Sequence, residues 1–120
     1  MQTPFKTEGG NSMTVNELKE SCGFEIICMP DGEREVSGCY IGDLLSWVMG
    51  RAEEDNAWIT IMSNINVVAV ASLSDVACVI LAEGVKLDDE VKNTAEQKGI
   101  NVLCSQKPIY ETALAISGMV

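Results

Sequence analysis

Three short apolar runs, at residues 58–62, 76–82 and 100–104, constrain this chain more than any other feature. The middle run is apolar at every position. A strand with one wet face alternates, so an unbroken run belongs to a strand covered on both faces, as in a parallel sheet. Parallel neighbours need a crossover of about a dozen residues or more, usually a helix. Residues 65–73 sit in that crossover. Val67, Val68 and Val70 also suit a strand, but the connection requires a helix there, with Asn64 as its cap. The second half therefore reads strand, helix, strand, helix, strand, helix. That order predicts a three-layer α/β/α domain around a mostly parallel sheet.

Local punctuation supplies the rest. Thr14 and Glu17 have capping-box spacing, and Met13 and Leu18 occupy the positions of a hydrophobic staple. A short helix is expected at 15–21, with Gly23 as its stop. Residues 24–28 read as a strand, Pro30-Asp31-Gly32 as a turn and residues 36–41 as a second strand. If these two strands pair antiparallel through the turn, the sheet is mixed. Asp43 caps a helix carrying Leu44, Leu45, Trp47, Val48 and Met49. Asp88 opens another, with Asp89 and Glu90 in its first turn and Lys98 before Gly99 at its end, the charge order that suits the helix dipole. Pro108 suits the first position of a last helix that stops at Gly118. The expected core is Leu44, Leu45, Val48, Ile59, Ile61, Val79, Ile80, Leu81, Val91, Ala95, Val102, Leu103, Ala113 and Ile116. Residues 1–12 lack apolar periodicity and read as a flexible leader or cloning remnant ahead of a natural start at Met13, leaving 13–120 as the domain.

Composition narrows the chemistry. A chain of 120 residues, 47% hydrophobic and 22% charged, holds one domain with its own core. Eight Lys and Arg stand against 18 Asp and Glu, for a formal net charge of −10. Nucleic acid and an anionic membrane both demand a basic face, so neither is expected as a partner. No run approaches the ~18 apolar residues of a membrane span. No charged-then-apolar signal opens the chain, and a cytoplasmic location is expected. There is no histidine, which removes Ser-His, Cys-His and His-metal sites together. The cysteines, Cys22, Cys28, Cys39, Cys78 and Cys104, show no CxxC spacing. They read as small buried hydrophobes in a reducing cytosol, and no cofactor is expected. A thiolate metal or iron–sulfur site, a disulfide and a redox-sensing thiol are the alternatives.

The run WITIMSNINVVAVASLSDVACVILAEG, followed by a helix and then GINVLCSQKPIYETALAI, resembles the DRTGG domain. The preceding EVSGCYIGDLLSWVMGRA is similar to the strand, Gly-Asp turn and Leu-rich helix at that domain's front end. The resemblance spans residues 13–117 and is greatest to small stand-alone members from anaerobic bacteria, sometimes found beside iron-hydrogenase genes. The domain is also similar to the N-terminal domain of HPr kinase/phosphorylase, and it accompanies CBS domains in regulated pyrophosphatases. The resemblance implies a regulatory, ligand-sensing or interaction module without catalysis of its own. Two departures stand out. The name-giving Asp-Arg falls near Ser63-Asn64, neither of which is charged, so nothing that pair does elsewhere transfers here. The Gly-Gly falls near Glu83-Gly84, where only the second glycine is kept.

Phosphoryl transfer needs a glycine-rich phosphate cradle with a Lys and a metal-binding acid. No such loop is present, so neither kinase nor hydrolase activity is expected. The acidic runs Glu53-Glu54-Asp55 and Asp88-Asp89-Glu90 read as a solvated loop and a helix start. Trp47 and Trp58 suit packing more than a ligand pocket. The better candidate comes from topology, because ligands of open parallel sheets bind beyond the carboxyl ends of the strands, beside helix N-termini. Those ends hold Gly42, Asp43, Ser63, Asn64, Asn66, Glu83, Gly84, Ser105, Gln106 and Lys107. Lys107 is the one cation expected on that edge. A small anionic metabolite, plausibly an adenine nucleotide, is the expected ligand. The competing reading is a protein-interaction module with no small ligand, in which these residues are only caps and turns. A homodimer is expected, with the Trp47 helix as the suggested contact.

Overall fold

The computed structural model describes residues 13–120, so the leader expected at 1–12 lies outside the described residues. The chain opens with β1 (Met13–Thr14) and α1 (Val15–Cys22), followed by the strands β2 (Glu25–Cys28), β3 (Glu35–Val36) and β4 (Cys39–Ile41). Then come α2 (Leu45–Arg51), β5 (Ala57–Thr60), α3 (Ile65–Ser74), β6 (Cys78–Leu81), α4 (Asp89–Gln97), β7 (Val102–Cys104) and α5 (Ile109–Ile116). The main sheet has the order β2-β7-β6-β5-β4. Strands β4 to β7 run parallel in sequence order, and β2 joins antiparallel at one edge.

Sequential parallel strands joined by crossovers of one hand put every connecting helix on the same face. Accordingly α2, α3 and α4 cover one face, where Val48, Val67, Val68, Val70, Ala71, Val91 and Ala95 pack on Trp58, Val79, Leu81 and Val102. On the other face α1 and α5 bring Val15, Leu18 and Ile116 onto Ala57, Ile59, Cys78, Ile80 and Leu103. The strand residues divide between the two faces by simple alternation. β6 is the middle strand, and residues 76–82 are all buried. The apolar run found in the sequence is thus the centre of the sheet.

The local signals at the helix ends are physically present. Thr14 Oγ1 accepts from the Glu17 N–H at 3.1 Å, and the Glu17 carboxylate accepts from the Thr14 N–H at 3.0 Å. Gly23 closes α1 in the left-handed conformation at φ 71°. Asn64 caps α3 through the Asn66 N–H at 2.9 Å.

Four expectations need correction. The early strands do not form a hairpin through Pro30-Asp31-Gly32. β2 pairs with β7 at the far edge instead, so the sheet is mixed for a different reason. Two side chains hold the connection that passes beneath the sheet. Asn101 accepts from the Asp31 N–H and donates to the carbonyls of Asp31 and Ala77, all at 2.8–2.9 Å. Arg34 bridges Asp55 at 2.9 Å and Asp75 at 3.0 Å, the residues that lead into β5 and β6. Second, the strand expected at 36–41 is broken. Val36 pairs with Met13, whereas β4 joins the main sheet. The break is at Gly38, whose φ of 82° favours glycine and whose missing Cβ would stand 3.0 Å from the Asn56 amide. Third, Leu44 and Ile61 are 57% and 40% exposed rather than core, because Leu44 precedes the first turn of α2 and Ile61 lies past the end of β5. Leu45 and Ala113 are only half-buried. Fourth, Asp43 does not cap α2, because Leu44 holds the N-cap position, and Pro108 is the N-cap of α5 rather than its first helical residue.

Asn101 is 1% exposed and its bonds reach residues distant in the chain. Replacing it with Ala strands the Asp31 and Ala77 groups. Asn101→Ala should cost about 1–3 kcal/mol, read as a lower urea midpoint at unchanged m-value.

Candidate functional site

The carboxyl ends of the strands resolve into two polar clusters. One belongs to β4 and β5. The Asp43 carboxylate accepts from the Thr60 hydroxyl at 2.7 Å and from the Ile61 N–H at 3.0 Å, which ends β5 there. Beside it the Trp58 indole N–H donates to the Gly42 carbonyl at 2.9 Å. Trp58 is fully buried, a packing residue with its polar atom satisfied. Trp47 is 52% exposed under the Arg51 guanidinium, 3.8 Å from the ring centre. Asn64 is committed to its cap, and Ser63 and Asn66 flank it on the same turn.

The second cluster unites Glu83, Gly84, Ser105, Gln106 and Lys107. The Glu83 N–H donates to the Lys107 carbonyl at 2.9 Å, and the Gly84 N–H donates to the Ser105 carbonyl at 2.8 Å. Ser105 is buried, with its hydroxyl 2.7 Å from that of Thr112 in α5. Glu83 and Gly84 both adopt left-handed backbone, at φ 62° and 72°. A Cβ on Gly84 would lie 2.8 Å from Gln106 Oε1. Two consecutive positive φ values explain why a glycine pair suits this turn, and why Glu83 carries strain where the resemblance places the first glycine. Among the described residues no hydrogen bond or ion pair joins this cluster to Asn64 or Asp43.

Beside the second cluster lies a small pocket of about 110 Å³, lined by Cys22–Glu25, Cys104–Lys107 and Ala115. The turn from α1 into β2 meets the end of β7 there because β2 runs antiparallel. Ligand pockets for whole small molecules run to about 300 Å³ and more. This one admits an end group such as a phosphate or carboxylate, with the rest of a larger ligand outside. Burial pushes the Cys22 thiol up, and Lys107, exposed at the pocket rim, offsets part of that rise.

Four contributors were not legible in the sequence. Lys86 ion-pairs with Glu25, so Lys107 is not the only cation on this edge. That pair holds the Glu25 carboxyl below its usual range. The Gln106 amide also donates to Glu25 at 3.3 Å. Cys22 and Gly23 enter the pocket wall from the first helix. No local motif links these positions; only the placement of β2 against β7 does.

The cysteines are dispersed. Cys28 and Cys78 are buried on opposite faces of the sheet, in separate packing clusters. Cys28 donates to the Ile100 carbonyl at 3.3 Å. Among the described residues no three Cys, Asp or Glu side chains converge on a possible metal position. Burial pushes the Cys28 thiol up to about 11 and the Cys78 thiol up to about 12.

Three measurements follow. Glu83→Gly relieves a left-handed residue and should stabilise the fold by about 1 kcal/mol, whereas Gly84→Ala should destabilise it by at least as much, both read from urea midpoints. Raised thiol pKa values stabilise the folded state fully below the ordinary value near 9. That contribution is lost as pH climbs through about 11 and 12, so the melting temperature should fall over this window. At pH 8, iodoacetamide should spare Cys28 and Cys78 until urea unfolds the chain, as peptide mass mapping would record.

Comparison with solved structures finds the same fold in the CBS and DRTGG domains of the regulatory region of Clostridium perfringens pyrophosphatase, complexed with its activator diadenosine tetraphosphate. The TM-score is 0.74 at 12% identity, over 90% of this chain and 47% of that one. The present chain thus spans about half the length of that neighbour. No curated protein matches it in sequence. No described helix is long and apolar enough to cross a membrane. The sequence profile of the DRTGG domain matches residues 17–119, almost the whole of the described fold, and the chain belongs to the DRTGG domain family.

Proposed function

We propose that this protein is a non-catalytic regulatory module that senses a small anionic metabolite, plausibly an adenine nucleotide, and transmits occupancy through contacts with a second copy or a partner in the cytoplasm. The observation that carries this reading is the pocket rimmed by Lys107, where the turns after α1 and β7 meet beside α5. A ligand there touches both connections and α5. Glu25 neutralises Lys86, which leaves Lys107 as the rim cation with no ion pair among the described residues. The overall charge of −10 repels anions at long range. That repulsion is screened beyond a Debye length of ~8 Å at physiological salt, so a local site can still attract. The nucleotide activator of the pyrophosphatase regulatory region supports the ligand class. The absence of histidine and of a glycine-rich phosphate cradle supports the non-catalytic part.

A second reading, a protein-interaction module with no small ligand and a link to iron-hydrogenase systems, draws on a different observation. Leu44, Trp47, Met49, Ile61 and Ile65 are all 40–57% exposed, more apolar surface than a sensing function requires.

A thermal-shift screen of nucleotides and phosphorylated metabolites at physiological salt separates the two. A ligand at ~100 times its Kd adds about 2.7 kcal/mol, a melting shift on the order of 10 °C for a domain this small. A ligand seated in the pocket loses that shift in Lys107→Ala and keeps it in Asn64→Ala. A ligand spanning all the strand ends loses it in both. If no compound moves the melt, the interaction reading replaces this one. Incubation with radiolabelled ATP, magnesium and candidate acceptors should yield background only.

A further inference from the structure

The two edges of the main sheet are built differently. At the β2 edge, Glu25 is paired with Lys86, and the ladder shifts between Ile26 and Cys28. Charge and irregular register are the usual devices that stop an edge from recruiting another strand. The β4 edge has neither. Residues 37–42 contain no charged side chain and no proline. On a chain with a net charge of −10, such a stretch is where two copies can approach without opposing carboxylates.

The register fixes which backbone groups look outward. The Gly38 carbonyl accepts from the Ala57 N–H at 3.0 Å, and the Gly42 N–H donates to the Ile59 carbonyl at 3.2 Å. Alternation then turns the N–H and C=O of Tyr40 toward β5, and those of Cys39 and Ile41 toward the side where, among the described residues, no strand pairs with β4. The side chains of Cys39 and Ile41 share a face with their register partners Ala57 and Ile59. Those partners are fully buried under α1 and α5, yet Cys39 is exposed and Ile41 is 46% exposed. The two helices on this face stop short of β4.

We infer that β4 is the self-association edge of this domain, where a second copy adds antiparallel across a two-fold axis at Tyr40. Cys39 then lies opposite the partner's Ile41, and Ile41 opposite the partner's Cys39. Each is a pair that exchanges both backbone hydrogen bonds, so four bonds close at once. Tyr40 faces the partner's Tyr40 across the axis. A slip of one residue would set outward groups against inward ones, and an axis at Tyr40 pairs both outward residues of each strand at once. The product is a continuous sheet of ten strands. This inference rests on the reading that the module acts through a second copy, and it names the surface.

Sedimentation velocity from micromolar to millimolar concentration tests it. A dimer is expected, and Ile41→Lys should weaken it by at least about tenfold by setting a lysine against the partner strand. Circular dichroism checks that the variant still folds. Tyr40→Cys in a Cys39→Ser background places thiols across a non-hydrogen-bonded pair about 4.5 Å apart at Cα, within disulfide reach. Mild oxidation should give covalent dimer in high yield, while Cys39→Ser alone and Glu25→Cys on the other edge should not. This readout stands even if Ile41→Lys fails to fold. A monomer at every concentration, or a dimer that Tyr40→Cys does not cross-link, overturns the inference. A monomer that still shows a nucleotide melting shift leaves the ligand reading standing, and a cross-linked dimer without any ligand does the reverse.

Discussion

Everything in this domain is arranged around a strand that has no contact with water on any side. Residues 76–82 lie between β5 and β7 and between two helical layers, and all are buried. Buried backbone amides must find partners, and here they find them in parallel ladders on both sides. Parallel ladders in turn force helical connections. Those connections bring the turns after β4, β5, β6 and β7 to one end of the sheet. The polar clusters exist at that end because the strand at the centre is apolar throughout.

The opposite end of the sheet is closed by side chains rather than by turns. Asn101 and Arg34 tie the connection from β2 to β3 against the starts of β5, β6 and β7. Arg34 is about one quarter exposed, so its two carboxylate partners are only partly screened by solvent. The other end holds a strained turn. Glu83 occupies a left-handed position that glycine would fill without strain, while Gly84 keeps its close approach to Gln106.

The two proposed surfaces lie at separated parts of the sheet. The pocket rimmed by Lys107 sits where β2 meets β7, and the open β4 edge is at the other side, with β5 and β6 between them. The strands between are buried on both faces. The exposed apolar residues of α2 and of the β5–α3 turn accompany the open edge rather than the pocket.

The sequence alone determined the alternating second half, the helical identity of residues 65–74 and the central place of β6. These depend on local pattern and on the geometry that any parallel pair must obey. It also determined the caps at Thr14 and Asn64, which are contacts within four residues. Only the tertiary structure decided where β2 goes, because a short antiparallel strand finds its partner by fitting an available edge, and β7 lies some 75 residues further along the chain. That single placement created the pocket, brought Cys22, Glu25 and Lys86 to the site, and left β4 as the open edge. The exposure of Leu44 and Ile61 was likewise hidden, since an apolar residue one position beyond a helix or strand looks in sequence like the residue inside it. Of the ten candidate positions, Glu83, Gly84, Ser105, Gln106 and Lys107 meet in one cluster, whereas Asp43 and Asn64 are spent on their own turns. Residue type announced their polarity; only the fold decided which of those polar groups were already satisfied.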